Sequence, residues 1–196
     1  MIEYIKGTVE ELTPTFVVLE NQGIGYYVQI SLNTFTDVQE QKSCKLYIYE
    51  AIREDAYLLF GFSKAEERRM FIQLIGVSGV GANTARMILS SLNVDELKQC
   101  IVSENLDALK SVKGIGGKTA QRILVDLKDK VAKMGVEPLS LLSKNPASAH
   151  VRSEAIAALQ MLGFASSASQ KVVNKIMSET SGMPVEQVIK AALKLL

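Results

Sequence analysis

LIGVSGVGANTARMI (residues 74–88) and LKSVKGIGGKTAQRI (residues 109–123) are one phrase written twice. Leu74, Val77, Gly79, Val80, Gly81, Ala85 and Ile88 recur as Leu109, Val112, Gly114, Ile115, Gly116, Ala120 and Ile123 at a constant offset of 35, with no gap. In each copy an apolar helix ends near the valine. An apolar residue between two glycines then makes a tight turn and tucks inward. The glycines tolerate positive φ and let a foreign group approach the backbone. A second helix starts at once, and its first N–H groups have no intrahelical acceptors and carry partial positive charge. That is an anion site. Small Ala85 and Ala120 let the two helices cross closely. The pattern is a helix-hairpin-helix, which holds a nucleic-acid phosphate by main-chain amides and so reads no base edges. Gly79, Val80, Gly81, Asn83 and Arg86 of the first copy are the expected DNA contacts. In the second they are Lys113, Gly114, Ile115, Gly116, Lys118, Thr119 and Arg122. The competing reading is a plain tight helix–helix turn, which a repeat at fixed offset disfavours.

The flanks change period. Ile2–Gly7, Phe16–Glu20, Tyr26–Ile30, Lys45–Ile52 and Tyr57–Phe62 are rich in β-branched and aromatic residues, with turn-like separators, and read as five strands. A short helix fits within Ser31–Val38. Five strands in about sixty residues suit a small closed barrel; the order is compatible with an OB-fold, and an SH3-like barrel is its competitor. Ser63 and Glu66 have capping-box spacing, and Met70, Phe71, Leu74 and Ile75 give one helical face. Residues 135–149 hold two of the four prolines and several serines, a linker composition. Three helical stretches follow, lined by Ala155, Ile156, Leu159 and Leu162, then Val172, Val173, Ile176 and Met177, then Val188, Ile189, Ala192, Leu195 and Leu196. The expected organisation is α+β: a barrel over 1–63, tandem hairpins over 64–134, a linker over 135–149 and a three-helix bundle over 150–196.

Of the 196 residues 47% are hydrophobic and 22% charged, the composition of a folding chain. The formal charge of +1 excludes a basic coat, but it is segregated. Residues 1–62 carry four basic and nine acidic side chains, residues 63–135 twelve and eight, and residues 136–196 six and four. His150, Cys44 and Cys100 are too scattered for a zinc site or a disulfide scaffold. No leader or membrane-length apolar run stands out, so the expected location is the cytoplasm, with no cofactor and no metal. Gly116-Gly117-Lys118-Thr119 falls short of a nucleotide-binding P-loop, because the required first glycine is Val112. A glycosylase would use Lys118 with an aspartate somewhat under twenty residues further on, and Asp126 and Asp129 come too early.

Three stretches together resemble the RuvA family, the Holliday-junction-binding subunits of the bacterial branch-migration machine, and the resemblance spans the whole chain. They are the opening MIEYIKGTVEEL, the segment Arg53-Glu54-Asp55-Ala56-Tyr57-Leu58-Leu59-Phe60-Gly61-Phe62, and the spaced hairpins. The resemblance implies a homotetramer matched to the four arms of a junction, with one or two tetramers per junction. It implies an acidic pin at Glu54 and Asp55 near the four-fold axis, with Arg53 beside the crossover. It further implies a C-terminal bundle that recruits the hexameric RuvB ATPase, and a resolvase, RuvC, that joins to cut. The expected motor contacts are Leu159, Leu162, Gly163 and Phe164. Read by themselves, Glu54-Asp55 are better read as a solvated hairpin tip, and Leu162-Gly163-Phe164 equally as the core of a small bundle. The first hairpin departs from the family pattern: Asn83 stands where a basic residue is usual, so it should lean on main-chain amides. A repair glycosylase or nuclease, and a general hairpin-based DNA tether, are the alternative functions.

Overall fold

The computed structural model describes residues 1–134, 146–179 and 182–196. They form two compact units, Met1–Gly135 and Val136–Leu196.

The first unit opens with the barrel strands β1 (Tyr4–Leu12), β2 (Phe16–Asn21) and β3 (Ile24–Ile30), helix α1 (Leu32–Val38), then β4 (Ser43–Ile52) and β5 (Tyr57–Phe62). The barrel closes in the order β1-β2-β3-β5-β4, with β3 and β5 parallel and the other pairs antiparallel. A closed five-strand barrel with a helix between the third and fourth strands is the OB arrangement. Val17, Leu19, Val28, Ile30, Leu46 and Ile48 fill it. Strand β1 runs five residues beyond the apolar stretch that suggested it. A register shift between Val9 and Glu11 lets one strand pair with both β2 and β4.

Five helices complete this unit: α2 (Ala65–Ile75), α3 (Ala82–Ser91), α4 (Val94–Val102), α5 (Leu106–Lys110) and α6 (Gly117–Met134). Their core is continuous with the outer face of β5. Phe71 of α2 lies 5.3 Å from the ring of Phe60, 4.9 Å from Phe62 and 5.2 Å from Tyr49, centroid to centroid. Polar bolts reinforce this joint. Glu67 of α2 is buried and accepts from the hydroxyls of Ser31 (2.5 Å) and Thr34 (2.8 Å) at the start of α1. With two hydroxyl donors and no cation in hydrogen-bond contact, burial raises the Glu67 carboxyl above its ordinary range. Asn33 Nδ2 donates to the Leu89 carbonyl of α3 at 2.5 Å.

The Ser63 capping box does not form. Helix α2 starts after Lys64 with no side-chain cap. The Ser63 hydroxyl donates to Asp37 at 2.5 Å, and Glu66 pairs with Lys98, so both groups are taken by partners remote in sequence.

The second unit contains α7 (Pro146–Met161), α8 (Ser166–Glu179) and α9 (Val185–Ala192), around Ala155, Leu159, Val173, Ile176, Val188 and Ala192. Residues 135–145 of the expected linker lie outside the described residues; from Pro146 the chain is already helical. Gly163, at φ +97°, ends α7 in a Schellman motif: Phe164 N–H donates to Leu159 C=O and Gly163 N–H to Gln160 C=O. Among the described residues no helix is long and apolar enough to cross a membrane.

Candidate nucleic-acid interface

The two hairpins are built bond for bond alike. Val77 N–H donates to Leu74 C=O, Val80 N–H to Val77 C=O and Ala85 N–H to Gly81 C=O. Val112, Ile115 and Ala120 donate to Leu109, Val112 and Gly116 in the same way. Gly79 has φ +89° and Gly114 φ +90°, a conformation that L side chains resist. Val80 and Ile115 are 5% and 7% exposed, and Ala85 and Ala120 are fully buried. Val80 and Ile115 therefore anchor the turns from inside and offer a ligand only their backbone.

The second glycine of each turn has a different role. A Cβ built on Gly81 or Gly116 meets no atom within 4 Å, so nothing inside the protein requires glycine there. Both precede a helix, and neither can cap it with a side chain. In three other helices of this unit side chains do that work: Ser31 caps α1, Asn93 caps α4 in a full capping box, and Asn105 caps α5, while the uncapped α2 carries Glu66 and Glu67 in its first turn. Helices α3 and α6 have no acidic residue in the first turn. Two helix N-termini are thus left with open amides and no neutralising carboxylate, the arrangement that receives an anion.

The hairpins also meet. Arg122 of α6 reaches the Ser78 carbonyl at 3.5 Å. A Cβ on Gly79 would stand 3.8 Å from the Arg122 guanidinium and 4.0 Å from the Thr119 hydroxyl. Lys113, Lys118 and Arg122 are exposed.

Arg86 does not join them. Its guanidinium turns back to the barrel and donates to the carbonyls of Thr15 (2.9 Å) and Ile30 (3.4 Å). Burial pulls it below its ordinary value. It is a strut between α3 and the barrel, and an offset of 35 matches it to the uncharged Gln121. Carrying the offset through the polar positions shows more. Lys113, Lys118 and Arg122 correspond to Ser78, Asn83 and Met87, so the first hairpin has none of the three cations of the second. Thr119 corresponds to Thr84, a first-turn residue that the apolar repeat alone did not single out; the identity of the pair was the available signal.

The segment Arg53–Ala56 forms the turn between β4 and β5, closed by Arg53 N–H donating to Ala56 C=O at 2.8 Å. Arg53, Glu54 and Asp55 are exposed. A groove of about 410 Å³ runs from Glu50, Ile52 and Arg53 on β4 and its turn to Val80, Gly81 and Ala82 of the first hairpin. Arg53, the first residue of the acidic turn, and the start of α3 therefore line the same groove.

Asp126 lies eight residues along α6 from Lys118, about 12 Å of helix rise, and the two stand at either end of a shallow groove of about 290 Å³ lined between them by Gln121, Arg122 and Val125. Among the described residues no group of three His, Cys, Asp or Glu is disposed to hold a metal. In the second unit, Leu159 is fully buried in the bundle core with Ala155, Val173 and Val188 and offers no surface. Leu162 is 60% exposed, and so is its neighbour Met161 at 91%. Phe164 packs partly into the core.

A small OB barrel joined to a tandem of uncapped, glycine-turned helix pairs defines a class: proteins that grip a nucleic-acid backbone through main-chain amides. Family models match along the chain: RuvA N terminal domain over residues 1–61, SAM-like helix-hairpin-helix tandem over 71–129, and RuvA C-terminal domain over 150–196. Curated relatives named Holliday junction branch migration complex subunit RuvA are similar over the full length of both chains. Those of Bacteroides thetaiotaomicron, Parabacteroides distasonis and Cytophaga hutchinsonii are 54%, 56% and 42% identical. The chain belongs to the RuvA family.

Proposed function

We propose that this chain binds four-way DNA junctions, by shape and without regard to sequence, as the non-catalytic subunit of an ATP-driven branch-migration complex. The observation that carries the reading is the pair of bond-identical, uncapped hairpins in one compact unit with an exposed acidic turn. The hairpins hold backbone phosphates through the open amides following Gly81 and Gly116, in turns shaped by Gly79 and Gly114, with Lys113, Lys118 and Arg122 adding charge and Thr119 a hydroxyl on the second. Asn83 contributes a neutral contact on the first. The relatives' name, a subunit of a branch-migration complex, supports the same assignment.

The reading extends to a homotetramer. Glu54 and Asp55 from four copies place about eight negative charges around one axis. Two like charges 4 Å apart repel by roughly 1 kcal/mol in water and by more where water is excluded. Four strands turning away from the axis avoid that ring, whereas a continuous duplex crossing it does not. Arg53 steadies the strand at the crossover. The C-terminal unit recruits the hexameric RuvB motor through the exposed end of α7, Leu162 with Gly163 and Phe164, and the open face of the junction admits RuvC.

Gel-shift competition between a four-way junction and a duplex of the same sequence, at about 100 mM salt, tests this. A clear preference for the junction is expected, with native mass spectrometry giving a tetramer on DNA. Equal affinity, or a monomer on the junction, would overturn it.

A further inference from the structure

Glu50 has no place in the hairpins or the acidic turn, yet its side chain is only 12% exposed and both its oxygens are engaged. Oε1 accepts from the Tyr57 hydroxyl at 2.5 Å, and Oε2 accepts from the main-chain N–H of Ile2 at 2.7 Å. These bonds hold the Glu50 carboxyl below its ordinary range, the Tyr57 bond most, and push the Tyr57 hydroxyl up.

Their position matters more than their number. The ladder between β1 and β4 runs from Thr8↔Ser43 to Tyr4↔Tyr47, with a last bond from Ile48 N–H to Glu3 C=O at 3.1 Å. Beyond Ile48, β4 continues to Ile52 paired only with β5. The acidic turn thus stands on a two-stranded ribbon that extends past the barrel ladder, with Tyr49, Ala51 and Leu58 packed against the helical core and the last pair, Ile52 and Tyr57, exposed; such a ribbon end twists and bends more readily than a sheet. Tyr57 is the first residue of β5 and faces Ile52, the last pair before the turn. Glu50 ties that pair diagonally to its own strand and then to the start of the chain's first strand. Among the described residues, the Glu54 and Asp55 side chains make no hydrogen bond or ion pair, so the ribbon sets where they point. Glu50 and Arg53 also line the groove whose opposite wall is Gly81 and Ala82. Tilting the ribbon changes the distance from the carboxylates to the first hairpin's amides.

We infer that Glu50 is the positioning residue of the acidic turn, fixing its distance from the first hairpin through Tyr57 and the Ile2 amide. The inference rests on the proposed role of Glu54 and Asp55 as a shape filter. Three variants of the full chain test it: Tyr57→Phe, Glu50→Gln, and the reference Glu54→Gln/Asp55→Asn. Each is measured for amide hydrogen exchange at Arg53 and for the ratio of junction to duplex affinity. Tyr57→Phe keeps an exposed ring and loses one donor; Glu50→Gln keeps an acceptor for the Ile2 amide. Expected for Tyr57→Phe is exchange at Arg53 about tenfold faster, the equivalent of one charge-assisted bond, and a selectivity ratio lowered three- to tenfold. Glu50→Gln should fall between it and the parent, and the salt dependence of binding should not change. If the reference loses selectivity while Tyr57→Phe and Glu50→Gln keep both readouts, the positioning role is overturned and the filter stands. Faster exchange with an unchanged ratio overturns it equally. If the reference itself keeps its selectivity, the filter fails and takes the positioning role with it.

Discussion

Asn83→Lys restores to the first hairpin the cation that the offset of 35 supplies to the second as Lys118. Asn83 is exposed in the first turn of α3, beside the uncapped amides after Gly81. Each phosphate contact made by a cation steepens the log–log salt dependence of duplex-DNA binding by about 0.9. Between 50 and 200 mM salt that amounts to roughly a 3.5-fold larger loss of affinity per added contact. The gain at 100 mM is smaller, because an exposed ion pair is worth about 0.2–1 kcal/mol. A lysine there also opposes the helix dipole, which costs about 0.3–1 kcal/mol of stability. The variant should therefore melt slightly below the parent and bind junctions more tightly at low salt, with a salt slope steeper by about one unit per subunit engaged. Lys118→Ala should make the slope shallower by the same amount. Fluorescence anisotropy across a salt series reads both. If Lys118→Ala shifts the slope and Asn83→Lys leaves it unchanged, the first hairpin does not lie on the phosphates and the pairing of the two hairpins is wrong.

Gly116→Ala should lower junction affinity with little change in melting, since an added Cβ meets nothing in the protein; retained affinity would remove the phosphate from that turn. Gly114→Val should instead lose about 1–3 kcal/mol of stability, because its φ of +90° strains any branched residue, and thermal melts separate the two. Arg86→Ala should cost about 1–2 kcal/mol by cutting α3 from the Thr15 and Ile30 carbonyls, with no change in the salt slope; a shallower slope would return Arg86 to the interface. Glu67 carries a raised folded-state pKa, so the native state holds its proton more tightly than the unfolded chain. Its contribution is present below the unfolded value near 4.5 and is lost as pH rises through the folded value. Urea unfolding of Glu67→Gln should therefore gain on the parent as pH rises above about 4.5, and a constant difference would refute the assignment.

What was legible in the sequence was what short-range geometry decides. The glycine turns show through because a positive φ and bonds spanning three or four residues leave a mark at fixed spacing. The strands show through because β-branched and aromatic residues fill a small barrel on alternate positions. Capping and charge did not show through, because a polar side chain chooses among acceptors across the whole fold. Ser63 and Glu66 have the spacing of a cap, yet Asp37 and Lys98 take them. Arg86 looks like a phosphate cation and bonds to the barrel. Leu159 and Leu162 share an apolar stripe, but Gly163 turns the chain so that one is buried and the other is not.

The same distinction separates the roles of two hairpins that are equal in backbone. The first has no counterpart to Lys113, Lys118 and Arg122, and its one nearby arginine is committed to the barrel. It also borders the groove leading to the acidic turn and is bolted through α1 and α2 to the strands that bear that turn. The second carries the cations and touches the first through Arg122 and Thr119. Under the proposed function, the second hairpin then supplies the salt-dependent attraction. On the same reading the first, which borders the groove leading to the acidic turn, sets the registry between held phosphate and central carboxylates, because a contact held at a fixed distance from those carboxylates converts the shape of a junction into a difference in energy.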